Sequence, residues 1–340
     1  MCSSSHTAGR EGLYDCCSQY EAITKKGARI VSHFHHSDLA VGALSKRQKQ
    51  LEMKNERLVQ SCPTRWDSIF YMCESLLRNR SAIELVLGDR QITTVAISKN
   101  LEISEEDWSI MESMVKVLRP FQVATTVLCN EKMVTISLVR PIIHGLKTKH
   151  MIESSEDDNY IKLFKSEAIS SLNKRFNKSA NLTSEQISCF LDPRYKSLSH
   201  EDEFTRKKVI TIVKNAVTEN PFDQETADES SETALDFLFQ SNFISSSDWK
   251  VQFENYVAEP QIGHNLDPLL WWKHHKDLFP LIFKIPQKYL SIPATSAMSE
   301  RSFSIAGSIV TSKTSCLKPE NVNLLTFLYK NRNVLKEIVS

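Results

Sequence analysis

Several absences bound what this chain can be. Glycine is scarce, with eight residues in 340, and long apolar patterns of period 3.6 take the place of turn-rich strand sequence, so strands have little room. No apolar run approaches the ~20 residues that a membrane-crossing helix needs. The eight cysteines show no Cys-x-x-Cys spacing and no matching pair of histidines, which argues against a disulfide framework and a zinc finger and for reduced, mostly buried thiols. The opening Met1-Cys2-Ser3-Ser4-Ser5-His6 lacks a basic and an apolar region of the secretory kind, so the chain is expected inside the cell. Three histidine-rich spots exist, at His33, His35 and His36, at His144 and His150, and at His274 and His275. Neighbouring histidines on a helix point about 100° apart and do not easily share a tetrahedral ion, so no metal site is assigned.

What is present is ordinary globular composition, 41% apolar and 24% charged, in a chain longer than one core usually supports. Two intimate subdomains, or one domain with a large insertion, are expected. The net charge of +1 is uneven: residues 1–60 carry nine Lys/Arg against six Asp/Glu, residues 261–340 carry ten against five, and the middle is acidic. A phosphate-binding face, if one exists, belongs to the ends; the alternative is ordinary solvated faces.

The periodicity predicts helices near 14–33, 38–54, 64–80, 104–129, 135–151, 159–177, 200–219, 247–258, 278–290, 297–311 and 319–336. One strand is predicted, Gln186-Ile187-Ser188-Cys189-Phe190-Leu191, stopped by Asp192-Pro193, and Asp192 itself is read as a turn residue. Linkers are expected at 153–159 and in the acidic, Ser/Thr-rich stretch from Pro221 to Glu232.

Two local patterns carry possible chemistry. In Pro63-Thr64-Arg65-Trp66-Asp67-Ser68, Thr64 as N-cap with Asp67 three residues on predicts a capping box, followed by an apolar stripe of Ile69, Phe70, Cys73, Leu76 and Leu77. Trp66 falls on the border of that stripe, where it either packs on a neighbouring helix or stacks an unpaired base. Near the end, Pro293-Ala294-Thr295-Ser296-Ala297-Met298-Ser299-Glu300-Arg301-Ser302-Phe303 places Glu300 in the first turn of a small-residue helix, where the helix dipole alone favours it by ~0.3–1 kcal/mol. A capping box does not account for it, because Ala297 three residues earlier offers no oxygen. Leu269, Leu270, Trp271 and Trp272 cannot all face one core. The last helix, opened by Pro319 and Glu320, carries Val322, Leu324, Leu325, Phe327, Leu328, Leu335 and Ile338 over more than one stripe. Either the chain's own core or a partner must cover the second stripe.

The Arg65-Trp66 segment resembles the Arg-Trp motif of hAT transposases, and Phe190-Leu191-Asp192-Pro193-Arg194-Tyr195-Lys196 is similar to a landmark of that family. Asp267-Pro268-Leu269-Leu270-Trp271-Trp272-Lys273, Phe279-Pro280, Tyr289-Leu290-Ser291-Ile292-Pro293, the Glu300 segment, Gly307-Ser308-Ile309-Val310 and Lys318-Pro319-Glu320-Asn321-Val322 resemble the family's C-terminal dimerisation domain. The likeness spans roughly residues 14–335 and is nearest to the domesticated branch of zinc-finger BED domain-containing proteins. It implies that Arg65 and Trp66 are DNA-binding residues, with Trp66 stacking a flipped base, and that Glu300 is the third carboxylate of a metal-dependent catalytic triad. It also implies that Trp271, Trp272, Phe303, Leu324, Leu325 and Leu328 serve the dimer or the core. The fold implied is mainly α, a helical insertion region joined to the C-terminal remnant of a ribonuclease-H-like α/β core. The expected division is 1–59, a helical segment; 60–185, the insertion-type region; 186–260, a short strand and helices with the acidic loop; and 261–340, the dimerisation region.

Two-metal phosphoryl transfer needs carboxylates from separate elements to hold ions about 3.5–4 Å apart. Neither Thr-Asp-x-Trp nor Thr-Asp-Asn, the family's other aspartate patterns, occurs in the sequence. The expectation is therefore a transposase-derived protein without catalysis and without cofactor, one that pairs with itself or with a full-length relative. DNA is a possible further partner, a membrane is not, and residence in the nucleus is implied by the resemblance only. The alternative is part of an active transposase or nuclease, with Glu300 contributing to a magnesium site.

Overall fold

A computed structural model describes residues 18–62, 65, 67–176, 183–218, 249–311 and 316–332. Those residues form fifteen α-helices and no strand. In chain order they are α1 (Ser18–His36), α2 (Asp38–Gln50), α3 (Asp67–Arg78), α4 (Arg80–Gly88), α5 (Val95–Leu101), α6 (Glu105–Leu128), α7 (Val139–Gly145), α8 (Asn159–Phe176), α9 (Ser184–Leu191), α10 (Glu203–Thr218), α11 (Trp249–Ala258), α12 (Pro268–His274), α13 (Lys284–Leu290), α14 (Ala297–Ile309) and α15 (Pro319–Lys330). The mainly helical expectation therefore holds.

The first core is built by α1 to α6 and α8. Ile30, Val31 and Phe34 of α1 meet Phe70, Met72 and Leu76 of α3, Trp108, Met111 and Leu118 of α6, and Phe164 of α8. Each such buried side chain contributes about 1.5–3 kcal/mol relative to exposure. A Cβ at Gly27 would lie 2.9 Å from Leu76 Cδ1 and 3.4 Å from Met72 Cε, so the missing side chain lets α1 close on α3. Ser104 starts α6 with a reciprocal capping box to Asp107. Burial opposes the charge on Asp107, but hydrogen bonds from Lys26 and Ser104 hold its carboxyl below the usual range. The buried Gln48 amide donates to Asn79 Oδ1 at 2.7 Å and to the Glu56 carbonyl at 2.9 Å, which ties α2 to the α3–α4 junction.

The second core is centred on α9. Ile187, Cys189, Phe190 and Leu191 pack against Val209 and Val213 of α10, Phe253 and Tyr256 of α11, Trp272 of α12, and Phe279, Ile282 and Ile285 around α13. Here the predicted strand 186–191 is corrected: the segment is the helix α9. The Gln186 side-chain oxygen accepts the Thr183 N–H at 3.0 Å, half of a capping box that starts a helix. A short run buried on all sides does not distinguish helix from strand by pattern, and a helix satisfies its backbone without a neighbouring ladder. The last carbonyls of α9 find side-chain donors: Tyr256 Oη donates to the Phe190 carbonyl at 2.7 Å, and Trp272 Nε1 to the Leu191 carbonyl at 2.8 Å.

Asp192 is more than a turn residue. Its side chain is fully buried and takes Arg194 Nη2 at 2.7 Å, Arg194 Nε at 3.0 Å and Ser137 Oγ at 2.6 Å. Arg194, also buried, reaches the Val134 carbonyl at 3.4 Å. This pair pins the 3₁₀ turn Ile136–Leu138 against the end of α9. Lys196, two residues on, is a second buried cation and donates to the carbonyls of Tyr256 and Val257 at the end of α11.

Three further expectations change. α3 begins at Asp67, so Asp67 is its first residue and not the third of a box; Thr64 lies outside the described residues. Ser68 Oγ takes over locally, accepting from the Cys62 N–H at 2.8 Å. Of the five described cysteines only Cys73 and Cys189 are buried, while Cys62 and Cys316 are exposed and Cys129 lies between. The helices α4, α5 and α12 arise where the periodicity predicted none.

Candidate functional site

Two features stand out on the surface, and α14 takes part in both. The first is a polar cavity of about 640 Å³. Arg65, Asp67 and Tyr71 line it from the start of α3, Thr125, Thr126 and Cys129 from the end of α6, and Ala297, Glu300, Arg301 and Ser304 from α14. The sequence-predicted Arg65 and Glu300, far apart along the chain, thus line one cavity. Trp66 lies outside the described residues.

Glu300 is exposed, in the first turn of α14, and accepts a hydrogen bond from Ser296 Oγ at 2.7 Å. Ser296 is four residues before it, so the contact is not a capping box, yet it orients the carboxylate. Arg301 donates to Glu131 Oε1 at 2.8 Å and to the Cys129 carbonyl at 3.0 Å. The Arg301 bond holds the Glu131 carboxyl below its usual range. Those contacts join α14 to the loop after α6, and the buried Ala294 N–H adds a bond to Thr135 Oγ1 at 3.0 Å just before the helix.

The charges in this cavity are mixed. The guanidiniums of Arg65 and Arg301, with the hydroxyls of Tyr71, Thr125, Thr126 and Ser304, are donors suited to phosphate oxygens. Asp67 and Glu300 are the carboxylates lining it, and among the described residues no group of three or more His, Cys, Asp or Glu converges as a metal site. The residues present do not fit a two-metal centre by themselves, and no metal-dependent step is derived through Glu300. Sequence reasoning missed Arg301, Tyr71, Ser304 and the Thr125-Thr126 pair. Arg301 adjoins Glu300 and was in view as a neighbour; the threonines carry no signal that points to a site.

The second feature is the α14–α15 helix pair. Within its described residues α15 buries no side chain, and α14 buries only Ala297. Phe303 is 76% exposed, Phe327 61% and Leu324 56%, with Leu325, Leu328 and Tyr329 also exposed. Trp271 and Trp272 divide differently: Trp272 is buried in the second core, whereas Trp271 is partly buried at its edge and stacks on His275 with ring centroids 3.9 Å apart. Leu335 and Ile338 lie outside the described residues.

Residues 252–332 match the hAT family C-terminal dimerisation region. The chain is 25% identical over 324 residues to human zinc finger BED domain-containing protein 4, covering 89% of this chain and 26% of that protein. It is 24% identical over 287 residues to a putative AC transposase of Zea mays, covering 76% of this chain and 34% of the relative. A putative transcriptional regulator, tpeD of Talaromyces stipitatus, is 22% identical over 295 residues, 81% of this chain and 32% of its own length. The chain spans about a quarter to a third of the length of these curated relatives. No helix among the described residues is long and apolar enough to cross a membrane. The exposed helix pair α14–α15 lies inside the segment that matches the hAT family C-terminal dimerisation region.

Proposed function

We propose that this chain is a transposase-derived association protein that binds a second copy of itself, or a longer hAT-type relative, through α14 and α15. One observation carries the reading: Phe303, Leu324 and Phe327 stand mostly in water on a helix pair with almost no core of its own. Covering an aromatic or leucine side chain contributes about 1.5–3 kcal/mol, so a monomer leaves that free energy unused. In the same proposal the helices from α9 to α15 are the helical remnant of a ribonuclease-H-like core, a reading that rests on the resemblance of the sequence and that the exposed Leu269, Leu270 and Leu278 support as an edge left uncovered. DNA association, in the nucleus, is assigned to Arg65 and Arg301 as backbone contacts, with Trp66, next to Arg65 in sequence, as the base-stacking residue. Strand cleavage is not assigned to the chain alone, because the lining carboxylates of the cavity are outnumbered by its other polar groups and matched by two guanidiniums.

A second reading has one specific observation in its favour. Arg65 and Glu300 share a cavity, as they would in half of a transposase centre whose other carboxylates and magnesium ions come from elsewhere. Light-scattering chromatography at micromolar concentration separates the claims. A dimer is expected for the parent, with a dissociation constant raised at least about tenfold by Phe303→Asp with Leu324→Asp. A strict monomer that also fails to bind a full-length relative removes the association reading. Magnesium-dependent cutting of DNA by the purified chain decides for the second.

A further inference from the structure

We propose that the apolar groove between α6 and α7 is the docking site, in cis, for the acidic, phenylalanine-rich stretch 228–244 of this same polypeptide. The groove measures about 790 Å³, within the range of built binding sites. Leu138, Ile142 and Leu146 line it on one side and Val123, Val127 and Met133 on the other. Val123 and Met133 are exposed although both lie in an otherwise apolar depression.

Both walls depart from regular helix where the groove opens. Pro120 sits inside α6 and withdraws the N–H that would bond the Lys116 carbonyl. Opposite it, α7 runs into a π-helical turn, Leu146–His150, closed by the Met151 N–H on the Leu146 carbonyl at 2.9 Å. Such single π turns occur mostly where a helix shapes a site. Lys116, Arg119 and Lys149 stand at the rim, Arg119 also pairing with Glu74 at 2.8 Å, and no Asp or Glu lines the groove among the described residues.

The occupant is chosen by charge and by connection. Residues 219–248 contain eight Asp/Glu and no Lys, Arg or His, and they carry Leu235, Phe237, Leu238, Phe239, Phe243 and Ile244. The segment itself lies outside the described residues. Its flanking residues Ala216 and Trp249 pack on the same core as Tyr195, which lines the groove. Tethering at both ends gives the stretch a high effective concentration at that site. The α14–α15 pair of a second copy is equally apolar, but Arg301 and Lys330 on it and Lys318 and Arg332 at its ends outnumber Glu300 and Glu320, so it brings no acidic excess to the basic rim.

Photocrosslinking of the full chain with benzoylphenylalanine at Phe237 tests this. Adducts are expected on peptides carrying Val123, Met133 or Ile142, within one copy when light and heavy-isotope chains are mixed. Val123→Asp with Lys149→Glu, both at exposed positions, is expected to cut the yield at least about tenfold without moving the thermal midpoint. Lys149→Glu alone serves if the pair fails to fold. Adducts elsewhere, adducts only between copies, or a yield unchanged in both variants overturn the proposal. Light scattering of the same proteins keeps the outcome separate from the association reading, since the groove variants leave α14 and α15 untouched.

Discussion

The α9 centre and the α14–α15 pair are two neighbouring parts of one chain with opposite solutions to the same problem. Around α9 the central polar groups have partners inside the protein: Asp192 has Arg194 and Ser137, and the end of α9 has Tyr256 and Trp272. On α14 and α15 the leucines and phenylalanines have water. The contrast teaches that apolar richness does not tell a core from an interface. What separates them is whether buried polar groups exist that specify one arrangement, because a fully satisfied polar network fixes geometry while an apolar stripe accepts any matching surface.

Breaking the first half of the comparison gives the largest effect. Asp192→Ala leaves Arg194 buried without its carboxylate, and a loss of about 3–5 kcal/mol is expected in chemical denaturation. An effect below ~1 kcal/mol would mean that the pair is dispensable and that the α9 centre is no more specified than α15.

The acid limb of stability sharpens it on a smaller scale. Burial pushes the His200 imidazole down to about 4 from its ordinary 6.5, with Glu201 opposing and Arg140 and His144 assisting that shift. A depressed folded value means that the fold prefers the neutral ring. Its stability is therefore complete above about pH 6.5 and lost as pH falls toward 4. His200→Gln is expected to flatten the change in denaturation midpoint between pH 7 and pH 4.5; the same slope in parent and variant would remove His200 as its source.

The smallest effect is expected where the surface is most apolar. Phe303→Asp with Leu324→Asp, which weakens the proposed dimer, is expected to leave monomer stability within about 0.5 kcal/mol, read at concentrations below dimerisation. A loss of several kcal/mol would instead place those side chains in a core.

Much of the fold was legible. The 3.6-residue pattern located the long helices because each buries one face continuously, as α3 does with Ile69, Phe70, Cys73 and Leu76. It failed at α9, where burial on all sides erased the periodicity, and at the short helices α4, α5 and α12. Of the candidate site, Arg65 and Glu300 could be named from residue type and resemblance. Tyr71, Thr125 and Thr126 could not, because only packing turns them toward the same space.

By itself the sequence determined that the chain is mainly helical and that its last segment resembles the hAT dimerisation region, since both follow from local order along the chain. Tertiary structure alone decided that Asp192 is a buried anchor, that Arg65 and Glu300 face one cavity, and that α15 has no core to enter. The reason is physical: a residue's partners through space depend on how distant helices close on one another, and no local pattern records that closure.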